Sequence, residues 1–131
     1  MPIVTRLRTV CMAIAATTMS AAAQMSSHWQ FCTGNPGIDW DTQIKSCTAL
    51  IQSGAEAKEN AAIAFYNRAV AHENKDRYDL AIADYSEAIR LNPNDADFYF
   101  YRGLDRQRMG DKAGAEADMA EAKRLNPNIG K

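Results

Sequence analysis

The chain has 131 residues, with 15 bases against 16 acids and a formal net charge of −1. That balance leaves no electrostatic footprint for nucleic acid or an anionic membrane surface. The length suits one small domain.

Arg6 and Arg8 make a basic start, and no acid precedes Asp39. Thr9 to Ala23 is an uncharged run of 15 residues that ends in Ala21-Ala22-Ala23. Small residues at the places a signal peptidase reads predict a cleaved export signal over residues 1–23. The run is shorter than the roughly 20 apolar residues of a membrane span, so no stable span is expected after cleavage. Cys11 lies in the run, but Arg8-Thr9-Val10 is no lipoprotein lead-in, and lipidation is not predicted. The mature chain, 24–131, keeps 13 bases and 16 acids, a net charge of −3. It would be periplasmic or secreted. It also keeps Cys32 and Cys47, and an even count in an exported chain reads as a disulfide.

Gln24 to Ile38 reads as irregular, with a turn cluster at Gly34-Asn35-Pro36-Gly37. Asp39 is then the expected N-cap of a helix running to about Ser53, with Gly54 as its stop. At an offset of 38 residues this helix lies over a later one. Ile44 falls on Ile82, Cys47 on Tyr85, Leu50 on Ala88 and Ile51 on Ile89. Residues 24–54 therefore read as an irregular segment plus a half-repeat helix tied to it by Cys32 and Cys47. An unrelated capping helix remains the other reading.

Ala55 to Asn60 is a polar link built of helix formers. Beyond it the chain repeats itself. A shift of 34 residues places Ala62, Arg68, Ala81, Ala83, Asp84, Glu87, Ala88 and Arg90 to Asn94 on identical residues. Those are 12 identities in 34 positions, where chance gives roughly 2, and a fixed period of this length marks a repeat architecture. The units are 62–95 and 96–129. Apolar residues recur at three- and four-residue spacing twice in each unit, so each reads as two helices. The expected helices cover about 57–74, 76–91, 95–109 and 111–125. Asn74 to Arg77 forms one intervening turn and Met109-Gly110-Asp111 the other. Asn92-Pro93 and Asn126-Pro127 stop the second helices, since proline lacks the N–H and disfavours helix at the preceding residue. No strand is predicted.

These units resemble the tetratricopeptide repeat, which has a bulky residue at repeat position 4, small residues at 8, 20 and 27, an aromatic at 24 and proline at 32. The first unit supplies Phe65, Ala69, Ala81, Tyr85, Ala88 and Pro93. The second supplies Tyr99, Gly103, Ala115, Met119, Ala122 and Pro127. Two positions depart from the pattern: position 7 holds Arg68 and Arg102 where the family has leucine, and position 11 holds His72 and Arg106 where it has tyrosine. The resemblance implies an all-α fold, a short solenoid of antiparallel helix pairs. It also implies a concave groove lined through repeat positions 2, 5, 9, 12 and 13. Those are Ile63, Tyr66, Val70, Glu73 and Asn74 in the first unit and Asp97, Phe100, Leu104, Gln107 and Arg108 in the second. Some family members grip a C-terminal carboxylate with lysine at position 5 and asparagine at 9 and at 6 of the next repeat. Tyr66, Val70 and Tyr101 stand at those places, so that clamp is not expected.

Candidates for chemistry are few. The sequence has no Cys-x-x-Cys, His-Glu-x-x-His, Gly-x-Ser-x-Gly or phosphate loop, and a disulfide would remove the thiolate a Cys–His pair needs. No catalytic residue, metal site or cofactor is expected. Arg68 and Arg102 read as packed stems whose heads pair with acids such as Asp84 and Asp118. Glu116 and Lys123 replace Ile82 and Ile89 and predict a solvent face at the end of the array. The expected function is a non-catalytic interaction module that binds a peptide or helix of a partner in its concave groove; the alternative is a structural or self-associating subunit of a periplasmic assembly. The expected partner is another protein, and the expected state a monomer.

Overall fold

The computed structural model describes residues 20–131. Most of the proposed signal, residues 1–19, lies outside them. Six helices follow one another: α1 (Ala21–Cys32), α2 (Trp40–Ser53), α3 (Lys58–Glu73), α4 (Tyr78–Leu91), α5 (Ala96–Arg108) and α6 (Lys112–Leu125). No strand occurs among the described residues.

Local chemistry sets the ends. The Asp39 carboxylate accepts the Thr42 N–H (2.9 Å) and hydroxyl (2.7 Å), which starts α2, and Gly54 ends it at φ 62°. Asp95 and Asp111 cap α5 and α6 by accepting the N–H groups of Asp97 and Gly114. The turns inside the two repeats share one backbone solution. Gly110 sits at φ 85°, and the residue 34 positions earlier, Asp76, takes the same left-handed conformation at φ 56°. Asn92 and Asn126 end α4 and α6 in extended conformation, as their following prolines require.

One expectation is overturned. Residues 24–38 were expected to be irregular, but Ala21–Cys32 is a helix of 12 residues, N-capped by the Ser20 hydroxyl. Met25, Trp29 and Cys32, at spacings of four and three, turn one face of α1 onto Cys47, Leu50 and Ala64. The segment before α2 is thus the first helix of a third antiparallel pair. The disulfide Cys32–Cys47 joins the end of α1 to the middle of α2, with Cα atoms 4.8 Å apart. Gln43 strengthens this corner. Its buried amide donates to the carbonyls of Cys32 and Asn67, each at 3.2 Å, linking α1, α2 and α3.

The pairs α1–α2, α3–α4 and α5–α6 stack in order, with α2 on α3 and α4 on α5. Small residues permit the close approach. Ala62, Ala69, Ala81 and Ala88 are fully buried, and at Gly103 an added Cβ would lie 3.1 Å from both Asp118 Cβ and Met119 Cε. Tyr85, the largest fully buried side chain, fills the middle of the second pair. Glu116 and Lys123 are exposed on α6, as their charges require.

The departures at positions 7 and 11 have a common explanation. The Arg68 fork donates to both Asp84 oxygens, at 2.8 and 2.7 Å, and its third nitrogen donates to Thr48 Oγ1 at 3.0 Å. Arg102 does the same with Asp118, at 2.9 and 2.7 Å, and with Ser86 Oγ at 3.0 Å. Thr48 and Ser86 occupy the same repeat position on successive pairs, so each arginine ties its own pair together and reaches back to the pair before. His72 Nε2 lies 3.9 Å from Asp84 Oδ2, and Arg106 donates to Asp118 Oδ2 at 2.9 Å. At position 11, Arg106 adds a second cation to the Asp118 cluster, while burial lowers the His72 pKa and favours a neutral imidazole beside Asp84.

Candidate partner-binding groove

Helices α3 and α5 bring the expected inner-face residues side by side. Tyr66, Tyr85, Phe98, Phe100 and Tyr101 form a connected aromatic cluster with ring centroids 5.3–6.3 Å apart. Within it the residues divide by role. Tyr66 and Val70 are half-buried and pack against the core around Ala69, Ala81 and Tyr85. Phe100 and Leu104 are also half-buried, Asp97 is exposed, and Ile63 keeps 43% of its surface in solvent. Burial pushes the Tyr85 and Tyr66 hydroxyls well above the usual phenol range, with nearby acids adding to it. The chain's own tail touches this surface: an added Cβ at Gly130 would come within 3.1 Å of the Phe100 ring.

Glu73 and Arg108, two of the expected groove residues, meet directly. Arg108 Nη1 donates to Glu73 Oε1 at 2.5 Å and to Asp105 Oδ1 at 2.6 Å, and its guanidinium lies 5.3 Å from the Tyr78 ring centre. Tyr85 donates to the other Glu73 oxygen at 3.1 Å. Asp105 was missed by the sequence reading. Its carboxyl is fully buried, and its Oδ2 has no hydrogen-bond partner. The period could not reveal it, because the matching residue 34 positions earlier is Ala71. Ile63, Tyr66 and Val70 lie on α3 and Phe100 and Leu104 on α5, and the Glu73–Arg108 bridge spans the two helices. Asn74 and Gln107 are exposed beside it.

A sequence profile of the tetratricopeptide repeat matches residues 62–95, the unit whose helix pair and packing have just been described. That unit is a tetratricopeptide repeat, and the described residues around it form an all-α solenoid of the same kind. Solved structures agree in fold. The second TPR of Spaghetti (RPAP3), bound to the HSP90 peptide SRMEEVD, is 25% identical with a TM-score of 0.69, over 79% of this chain and 88% of that one. The Arabidopsis OM64 TPR domain is 24% identical, also at 0.69, over 82% and 88%. A third, MamA MSR-1 C2, is 16% identical at 0.59, over 81% of this chain and 55% of its own. A search of curated proteins found no significant match.

The buried acid of this repeat protein makes stability depend on pH. Burial, reinforced by the Glu73 charge and opposed by Arg108, raises the Asp105 carboxyl from 3.8 to about 6. Between those values the folded state holds a proton that the unfolded chain releases. The stability linked to Asp105 is therefore present at low pH and lost as pH rises through about 6. Asp105→Asn keeps an acceptor for Arg108 and removes the buried charge. At pH 7.5 the variant should be more stable than the parent, by on the order of 2 kcal/mol, and the difference should shrink towards pH 4.5. Urea unfolding at both values checks this; a difference independent of pH would contradict it.

Proposed function

We propose that the chain is an exported, non-catalytic interaction module whose concave face takes an apolar or amphipathic segment of another protein. The observation that carries the reading is the aromatic and apolar strip on α3 and α5. Ile63, Phe100 and Leu104 leave surface uncovered while the core closes around Tyr85 and the alanines without needing them. Large apolar side chains on a concave face have reason to be there when something covers them, and aromatic anchors dominate such contacts. The peptide held by the second TPR of Spaghetti supports the mode of use.

Phe100→Ala combined with Leu104→Ala should reduce partner capture by at least about tenfold while helical content and melting temperature stay close to the parent. An unfolded double variant would place the strip in the core. A folded variant that still captures its partner would place the site elsewhere.

Export rests on Arg6, Arg8, the uncharged run and Ala21-Ala22-Ala23. Helix α1 begins inside this run, at Ala21. Expressed in a bacterium, the protein should appear in the periplasm starting at or near Gln24, read by mass spectrometry. A full-length product kept in the cytoplasm would refute the export reading.

A self-associating subunit is the alternative, and one feature favours it. A depression of about 570 Å³ lies on α6, lined by Ala115, Glu116, Met119, Ala120 and Lys123 among others. It occupies the place on α6 that receives α5 on α4. A molecular mass that rises with concentration in sedimentation would favour this alternative.

A further inference from the structure

The concave face is chemically lopsided. Every arginine on α3 and α5 is already held by a carboxylate: Arg68 by Asp84, Arg102 and Arg106 by Asp118, and Arg108 by Glu73 and Asp105. The acids are not matched in the same way. Asp97 is exposed one turn before Phe100 and Tyr101 on α5, and Asp95 caps the same helix end. Burial chiefly, and then the charges of Asp97 and Asp95 among others, raise the Tyr66 hydroxyl. The rings of Tyr66 and Tyr101 lie 6.0 Å apart, and those of Phe100 and Tyr101 5.4 Å. Aromatic faces beside an uncompensated carboxylate attract a cation, and the field is stronger in a concave, partly apolar surface than on a flat one. Lys58 begins α3 more than a turn before Ile63, and Lys131 follows the Gly130 that touches Phe100.

We infer that the segment bound by this groove is cationic, placing an arginine or lysine side chain on the Tyr66–Tyr101–Phe100 rings beside Asp97. The inference rests on the groove reading above and adds the charge of the ligand. It is opposite in sign to the acidic peptide held by the second TPR of Spaghetti. It also accounts for the residues at the carboxylate-gripping places: Tyr66, Val70 and Tyr101 offer no cation to an acid, but two of them offer ring faces to a base.

Three fluorescein-labelled peptides, each roughly ten residues long with leucine and tryptophan anchors, would test this against residues 24–131. They differ only in carrying arginine, glutamine or glutamate at two positions. At about 0.05 M salt the arginine peptide should bind about tenfold tighter than the glutamine peptide, with the glutamate peptide weakest. The preference should shrink at about 0.5 M salt. Asp97→Asn should weaken the arginine peptide by about threefold or more and leave the glutamine peptide unchanged. If the glutamine or glutamate peptide binds as tightly as the arginine peptide, and Phe100→Ala still abolishes binding, the groove stands and its cationic preference is overturned. If none of the peptides binds, or if binding ignores Phe100→Ala, both the preference and the groove are overturned.

Discussion

Asp84→Ala should destabilise the protein by about 3–5 kcal/mol, the usual cost of removing one partner from a buried ion pair. The carboxylate is nearly inaccessible and accepts from two nitrogens of the Arg68 fork, while His72 stands 3.9 Å away. Its loss strands a guanidinium whose side chain is only 20% exposed, with Thr48 as its sole remaining acceptor. Because Arg68 also spans to α2, the damage should weaken the interface with the first helix pair as well as the α3–α4 pair. Replacing both partners with apolar residues, Arg68→Met with Asp84→Leu, should recover much of the loss, since the cost lies chiefly in the unpaired charge. Urea unfolding of the two variants decides the matter. If Asp84→Ala and the double variant lose the same amount, the pair contributes through packing alone.

That pair also shows what could be read without coordinates. Arg68 and Asp84 recur at Arg102 and Asp118, and the repetition pointed to their pairing. The third member was hidden: Thr48 and Ser86 share a position, but threonine and serine match only in their hydroxyl, and the first unit aligns at 38 residues instead of 34. Helix α1 was hidden for another reason. Its apolar residues, Met25, Trp29 and Cys32, do fall at helical spacing, but two serines and a histidine separate them and a glycine-rich turn follows at once. The cap that starts it, Ser20, lies in the run assigned to the signal. The groove expectation came only from the family pattern, which assigns Tyr66, Val70, Phe100 and Leu104 to an inner face; the first two lie on α3 and the last two on α5. That pattern carries no information on depth. Tyr66 and Val70 serve the core as well as the surface, because both pack against the buried cluster of Ala69, Ala81 and Tyr85.

Removing the disulfide should cost about 3 kcal/mol, the chain-entropy value for closing a loop of this length. Cys32 and Cys47 are 15 residues apart and fully buried, so Cys32→Ala with Cys47→Ala is the cleaner test than reduction, which would leave two thiols in contact. The loss should be uneven along the chain. Helix α1 packs chiefly on α2 and only slightly on α3, and its remaining ties are the Gln43 bond to the Cys32 carbonyl and the Trp29 N–H donated to Glu56 at 2.7 Å. In a solenoid each unit is held by its neighbours alone, so the terminal helix should open first. Hydrogen exchange of the double variant should therefore become fast over residues 21–32 while α4, α5 and α6 keep the protection of the parent. Uniformly faster exchange would mean that the bridge supports the whole stack through Cys47, whose side chain occupies in the first pair the place that Tyr85 fills in the second. Unchanged exchange and an unchanged unfolding midpoint would mean that Met25 and Trp29 hold α1 in place without the bridge.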